Sequence, residues 1–300
     1  MEAWEIIEAV QRMQDYIHQH LNEPITMHQL SKAAGYSQWH AARLFRELTG
    51  KAPFEYIRSV RLSQAALKLQ NTEARVIDVA FDFTFDSHEG FTRAFSRQFG
   101  MSPKYYQQNQ PKVSMFMPPR VRDYYLLLQQ GEIKMSKKPL DTVFVQVVDR
   151  PARKLIIKRG VSATHYFEYC EEVGCEIWDT LSKVKGALYE PIGMWLPPHM
   201  MLPNTSKYAQ GVEVPLEYSG EIPDGCELIT LPPCKMMIFQ GPPYDDEKFM
   251  EAIDQVWELM KTYNPEIYGF RWADEDGPRF QLAPLGYRGY IEGRPVRLMK

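Results

Sequence analysis

Two stretches of this chain, fifty residues apart, carry the same succession of structural signals. Ser37 corresponds to Ser87, Arg43 to Arg93, Phe45 to Phe95, Gly50 to Gly100, Pro53 to Pro103 and Tyr56 to Tyr106. In order these are a helix N-cap, an outward base, an apolar anchor, a helix-ending glycine, a proline suited to a first helical turn, and an aromatic anchor. A fixed offset across so many different roles marks a duplicated structural unit. Arg and Phe two positions apart lie about 200° apart around a helix, so one faces outward while the other is buried.

The segments around each repeat read as helices. Ile6, Val10, Met13, Ile17 and Leu21 keep helical spacing up to Pro24. Thr26-Met-His-Gln29 forms a capping box that opens a short helix ending at Gly35. Ser37 caps a second helix running to Thr49, and Pro53 opens a long one towards Gln70. A short helix, a glycine turn and a second helix make a helix-turn-helix. Two such units joined by the helix 53–70 suit neighbouring major grooves, about 34 Å apart on one DNA face. A plain helical bundle with a duplicated core is the alternative.

These residues resemble the AraC-type transcription regulators. The matching strings are Leu30-Ser-Lys-Ala-Ala-Gly-Tyr-Ser37 with Arg43-Leu-Phe45, and Phe91 to Pro103 with Tyr106. The likeness covers residues 4–108 and implies a seven-helix module that reads double-stranded promoter DNA through helices starting near Ser37 and Ser87. It places Gln38, Trp39, His40 and Arg43 at the first groove, with Arg46 on the same basic stretch, and His88, Glu89 and Arg93 at the second. Thr84 departs from the family by standing where a turn glycine is usual; a positive φ there strains a β-branched residue. Arg43 and Arg93 have the fork geometry for guanine, and Glu89 can accept from cytosine N4. Trp39 meets a sugar or a thymine methyl, or else belongs to the core. His40 and His88 touch phosphate or face solvent.

Charge is consistent with a local reader. The chain carries 35 Lys+Arg against 38 Asp+Glu, a net charge of -3 that gives no overall pull towards nucleic acid. Residues 32–68, however, hold seven bases (Lys32, Arg43, Arg46, Lys51, Arg58, Arg61 and Lys68) against Glu47 and Glu55. Such density serves phosphate contact or a solvated helix face. Hydrophobic residues at 44% and charged residues at 24% fit a globular chain of two domains. No apolar run approaches the roughly 20 residues of a membrane span, and the N-terminus lacks signal-peptide features, so a cytoplasmic location is expected.

The second half carries its own repeat. Pro151 to Gly160 aligns without gaps on Pro232 to Gly241, and each is followed by an amphipathic stretch with a tryptophan, Trp178 and Trp257. The expected fold is therefore two domains: an all-α double helix-turn-helix over 1–110, and an α+β domain built from a tandem strand–helix duplication over 139–300. Residues 111–138 form a linker with a short helix near Val121–Gln130 and a basic run, Lys134 to Lys138. Duplicated halves meeting across a pseudo-two-fold axis often enclose a ligand.

This half resembles the gyrase-inhibitor-like effector-binding domains, through Tyr208-Ala-Gln-Gly-Val212, Leu231 to Gly241 and the Trp257 helix. The resemblance implies a sensor of small, lipophilic or aromatic molecules, with a buried acid on a late strand that pairs with cations. Gln281 stands where that acid is expected, and Glu213 is a candidate substitute. Trp178 and Trp257 read as core; Trp195, Tyr208, Tyr268 and Trp272 lie in Pro/Gly-rich surroundings and are pocket candidates. Flat or cationic ligands gain roughly 0.5–2 kcal/mol per cation–π contact.

No P-loop, G-x-G-x-x-G or G-x-S-x-G string is present, so neither a cofactor nor a catalytic residue is expected. His165, Cys170 and Cys175 have no zinc-ligand spacing, and the four cysteines read as reduced thiols without a metal. The expectation is a non-enzymatic regulator, with a small-molecule effector behind and RNA polymerase as a further partner. The competing class is a small-molecule hydrolase in the second half, coupled to an autoregulatory DNA-binding domain.

Overall fold

The computed structural model describes residues 2–70, 73–111, 113, 115–129 and 143–299. They form two compact units, Met1–Gln146 with Trp257–Tyr268, and Val147–Val256 with Gly269–Lys300. The first is helical: α1 (Glu2–Gln19), α2 (Met27–Ala34), α3 (Gln38–Thr49), α4 (Pro53–Leu69), α5 (Val76–Asp82), α6 (His88–Phe99), α7 (Pro103–Asn109) and α8 (Val121–Gln129). The basic run Lys134 to Lys138 lies outside the described residues.

Every position of the fifty-residue repeat takes the local role its chemistry dictates. Ser37 accepts from the His40 amide and Ser87 from the Gly90 amide, capping α3 and α6. Gly50 and Gly100 end those helices in the left-handed region, at φ 79° and 73°. Pro53 and Pro103 open α4 and α7. Phe45, Phe95, Tyr56 and Tyr106 are buried. The turns differ, because Gly35 ends α2 at φ 78° while Thr84, after α5, sits at φ 58°. Its hydroxyl is also buried without a hydrogen bond among the described residues. A β-branched left-handed residue costs on the order of 1–2 kcal/mol, so the second turn stores strain that the first does not.

The helical unit extends past residue 110, where the sequence reading ended it. Gln14, buried on α1, donates to the Pro119 carbonyl at 3.2 Å and accepts from the Val121 amide at 2.8 Å. Arg120 reaches Asp15 at 3.0 Å, and Arg122 donates its amide to Gln11. Tyr268 donates to the Pro118 carbonyl at 2.7 Å and stacks on Tyr263. Buried polar groups require partners, and those of α1 find them in 118–122. Residues 115–129 are thus part of this unit, and so is Trp257–Tyr268, which the sequence reading assigned to the second domain.

The second unit is built on one antiparallel sheet with helices α9 (Tyr166–Val173), α10 (Glu176–Ser182) and the start of α11 (Phe249–Thr262). Its strands are β1 (Phe144–Arg150), β2 (Arg153–Arg159), β3 (Ile192–Trp195), β4 (Tyr208–Val214), β5 (Glu227–Leu231), β6 (Cys234–Gln240), β7 (Phe270–Trp272), β8 (Arg279–Gln281) and β9 (Ile291–Leu298). They pair in the order β1-β6-β9-β8-β3-β4-β2-β5, with β7 against β9. The strand repeat appears as β2 and β6. Lys154 pairs with Val214 as Lys235 pairs with Val296, and Ile157 with Gly211 as Ile238 with Gly293.

The halves exchange strands. β1 precedes β2 in the chain yet lies beside β6, and β5 precedes β6 yet lies beside β2. Pro151-Ala152 and Pro232-Pro233 alone join these strands. Two residues span roughly 11 Å, whereas six strand spacings in a flat sheet are roughly 29 Å. The sheet must therefore curl until its ends meet. Arg153 pins that corner by donating to the carbonyls of both Pro151 and Pro232, at 3.2 and 3.3 Å. Glu213 accepts from Arg153 at 2.7 Å and pairs with Arg150.

Candidate DNA-reading face and effector cluster

Capping sets the aim of α3 and α6, because it fixes where each begins and which face it buries. Ala41, Leu44 and Phe45 turn inward on α3, and Phe91, Phe95 and Phe99 on α6. The opposite faces present Gln38, Trp39, Arg43 and Arg46 on α3, and His88, Glu89 and Arg93 on α6, all exposed; His40 is half-buried. Trp39 is 74% exposed, which removes it from the core.

Arg43 is not idle in this state. Its guanidinium lies over Trp39, 5.5 Å from the ring centroid, and 3.6 Å from Glu47. The basic stretch around it divides between structural and exposed roles. Arg61 donates to the carbonyls of Leu21 and Glu23 beyond α1, Lys68 pairs with Asp82, and Lys51 with Glu55. Lys32, Arg43, Arg46 and Arg58 remain exposed.

A second cluster forms on the sheet. Register pairs Phe239 with Glu292, Glu292 with Gln281, Gln281 with Gly193, and Gly193 with Gln210. Residues opposite one another share a face, so these five make one transverse row. Gln281 donates to the Tyr208 hydroxyl at 3.2 Å, and the Tyr290 hydroxyl lies 3.1 Å from Gln281 Oε1 and 2.9 Å from Glu292 Oε2. Arg279 pairs with the fully buried Glu292 and lies over Trp195 at 4.8 Å. Trp195 meets Tyr208 edge-on at 5.4 Å and donates to the Thr164 carbonyl. Burial holds the Tyr208 hydroxyl above its ordinary range.

The structure thus brings Trp195, Tyr208 and Gln281 together. Trp272, another pocket candidate, lies instead against Phe239 at 6.3 Å and under Arg294. Glu213 belongs to the buried corner with Arg150 and Arg153, and Tyr268 to the helical unit. The sequence reading missed Glu292, Tyr290 and Gln210. The signal was present: Tyr208-Ala-Gln-Gly211 recurs as Tyr290-Ile-Glu-Gly293, so that Gln210 and Glu292 occupy equivalent places in the two halves. Glu292 has Arg279 and Tyr290 for partners. Gln210, 1% exposed, has no hydrogen bond on either side-chain atom among the described residues.

Among the described residues no group of three or more His, Cys, Asp or Glu side chains could hold a metal ion. His165 caps α9 by accepting from the Glu168 amide. No helix among the described residues is long and apolar enough to cross a membrane.

Two capped, outward-facing helices at a fixed offset define a double helix-turn-helix module. A helix-turn-helix domain family matches residues 30–109. Regulatory protein SoxS of Salmonella typhimurium is 35% identical over 100 residues, which cover 33% of this chain and 94% of SoxS. The chain belongs to the AraC family of transcription regulators. Transcriptional regulator Rob of Salmonella typhimurium is 36% identical over 159 residues, 53% of this chain and 51% of Rob. The chain therefore matches about half the length of that relative. The DNA-binding domain of AdpA, solved in complex with a target DNA, is 30% identical, with 34% of this chain and 91% of that one covered and a TM-score of 0.33.

Proposed function

We propose that this protein is a sequence-specific regulator that binds promoter DNA through α3 and α6 and senses a small aromatic molecule at the sheet cluster. The duplicated reader carries the DNA part: two capped helices expose the equivalent bases Arg43 and Arg93 over equivalent buried anchors. Gln38, Trp39, His40, Arg46, His88 and Glu89 complete the contact set in this reading, with the Ser37 and Ser87 caps fixing the start of each helix. RNA polymerase is the expected further partner.

Base contacts separate specific from random binding, whereas phosphate contacts do not. Arg43→Ala and Arg93→Ala should each weaken operator binding about five- to 160-fold and binding to random duplex far less, from the roughly 1–3 kcal/mol of a bidentate guanine contact. Titration of both duplexes at one salt concentration measures this. Equal losses on the two would reduce the arginines to phosphate contacts.

For the effector, the carboxylate at Glu292 supports a neutral ligand, since Arg279 already balances it. The unpaired Gln210 amide favours a ligand that offers both a donor and an acceptor. Wild type should bind a neutral aromatic better than a cationic dye of similar shape, and Gln281→Glu should shift that preference towards the cation. Calorimetric titration of both ligands against both variants reads it. A strong wild-type preference for the cation, or no binding of either ligand to either variant, would remove this reading.

A further inference from the structure

A groove of about 470 Å³ opens at the corner of the sheet, where β1 ends at Arg150, β6 begins at Cys234 and β9 ends at Leu298. Lys235 pairs with Val296 here, four residues along both strands from the pairing of Phe239 with Glu292. At about 3.4 Å per residue, the groove stands roughly 14 Å along the sheet from the Gln281 row.

Two guanidiniums share one acid at the back of this groove. Arg150 and Arg153 are almost withdrawn from solvent, and Glu213 pairs with both. One positive charge is therefore held away from water without a counter-charge, a condition that an anion relieves. Arg153 is saturated: it donates to Glu213, to the carbonyls of Pro151 and Pro232, and to Cys234 Sγ at 3.9 Å. Arg150 is not. It lines the groove, meets Glu213 through one terminal nitrogen and lies over the Tyr189 ring at 4.8 Å. No further hydrogen bond links Arg150 to a described residue. Burial, with Arg153 beside it, holds this guanidinium below its ordinary range. At the rim, Lys235 meets Asp149 at 2.6 Å, and Arg297 meets Asp276 at 2.7 Å and Glu275 at 3.0 Å. Those pairs are open to solvent and screened, so the surplus stays at the back.

We propose that this groove binds a small organic monocarboxylate, with its oxygens on Arg150 and its apolar body along Pro151, Pro233, Val296 and Leu298. The site lies beyond the effector reading and is independent of it. Two coplanar oxygens match the fork of a guanidinium. A single negative charge cancels the surplus, whereas a phosphate monoester would bring a second one beside Glu213 and Asp149. A neutral molecule leaves the surplus in place, and a cation adds to it.

The test is calorimetric titration of the full-length protein with 2-naphthoate and with 2-naphthamide, its neutral isostere. Wild type should bind the acid about ten-fold or more tighter than the amide, the worth of a charge-assisted contact. Arg150→Gln, shown to be folded by circular dichroism, should remove that preference. Leu298 is 58% exposed, so Leu298→Glu sets a carboxylate at the groove without disturbing the core. It should weaken naphthoate binding about five-fold or more at low salt and leave the melting temperature unchanged. Gln281→Glu should leave naphthoate binding as it is, because its charge is more than a Debye length of about 8 Å away at physiological salt. If Arg150→Gln does not fold, Leu298→Glu alone decides. Equal affinity for acid and amide, no naphthoate binding to wild type, or a preference kept by folded Arg150→Gln overturns the assignment. So does unchanged affinity in Leu298→Glu, or a loss in Gln281→Glu, which would move the acid to the sheet row.

Discussion

Glu213→Ala is expected to destabilise the sheet unit by about 3–5 kcal/mol, the usual cost of leaving a buried charge without its partner. Here two charges are affected. Arg150 and Arg153 keep only 11% and 4% side-chain exposure, and Glu213 is the acid that joins them. Arg153 would still hold the Pro151 and Pro232 carbonyls, but with its charge unbalanced at the corner where the sheet ends meet. Urea unfolding followed by circular dichroism measures the loss. Ligand binding gives the control, since Glu213 lies apart from the Gln281 row. A variant of unchanged stability that no longer binds ligand would restore Glu213 to the effector site and remove it from the corner.

The second large effect is acid lability centred on His18. Burial lowers this side chain to about 4 against the attraction of Asp15, with Arg120 adding to the depression. Its ring lies edge-on to Tyr56 and Tyr268, Nε2 stands 3.4 Å from the Tyr56 hydroxyl, and the buried Nδ1 has no partner among the described residues. Between pH 6.5 and 4 the unfolded chain binds a proton here that the folded chain does not. Stability therefore falls as pH drops through this window and levels off below it. The shift amounts to about 3 kcal/mol at most, less what the ring's accessible edge returns to solvent. His18→Gln should flatten the difference in urea-unfolding free energy between pH 7 and 4.5. An unchanged pH slope in that variant would mean that other groups set the acid response.

Legibility in the sequence followed the range of the interactions. Caps, helix-ending glycines and first-turn prolines act within a few residues, so Ser37, Gly50 and Pro53 announced their elements, as did Ser87, Gly100 and Pro103. The strained Thr84 turn was legible for the same reason. Pairing between strands was not, because nothing near Pro151 states that β1 lies beside β6. Glu292 was hidden by that ignorance of register: only the match of Tyr290-Ile-Glu-Gly to Tyr208-Ala-Gln-Gly shows which late residue faces Gln281. Tyr268 donates to a carbonyl 150 positions away in the chain, at Pro118, and composition carries no trace of that.

The exchange of β1 and β5 sets an order of events during synthesis. β1 leaves the ribosome after α8, but its neighbour β6 begins only at Cys234, and β6 in turn awaits β9 at Ile291. Loop-closure entropy must be met over some eighty residues before the first strand is paired, the condition that makes non-local sheets slow to assemble. β2 gains β4 and β5 earlier, so one half of the duplication gathers while the other is still being made. In this sequence of events α1 to α8 are in the chain well before β9, whereas Trp257–Tyr268, which packs with those helices, is made only after β6.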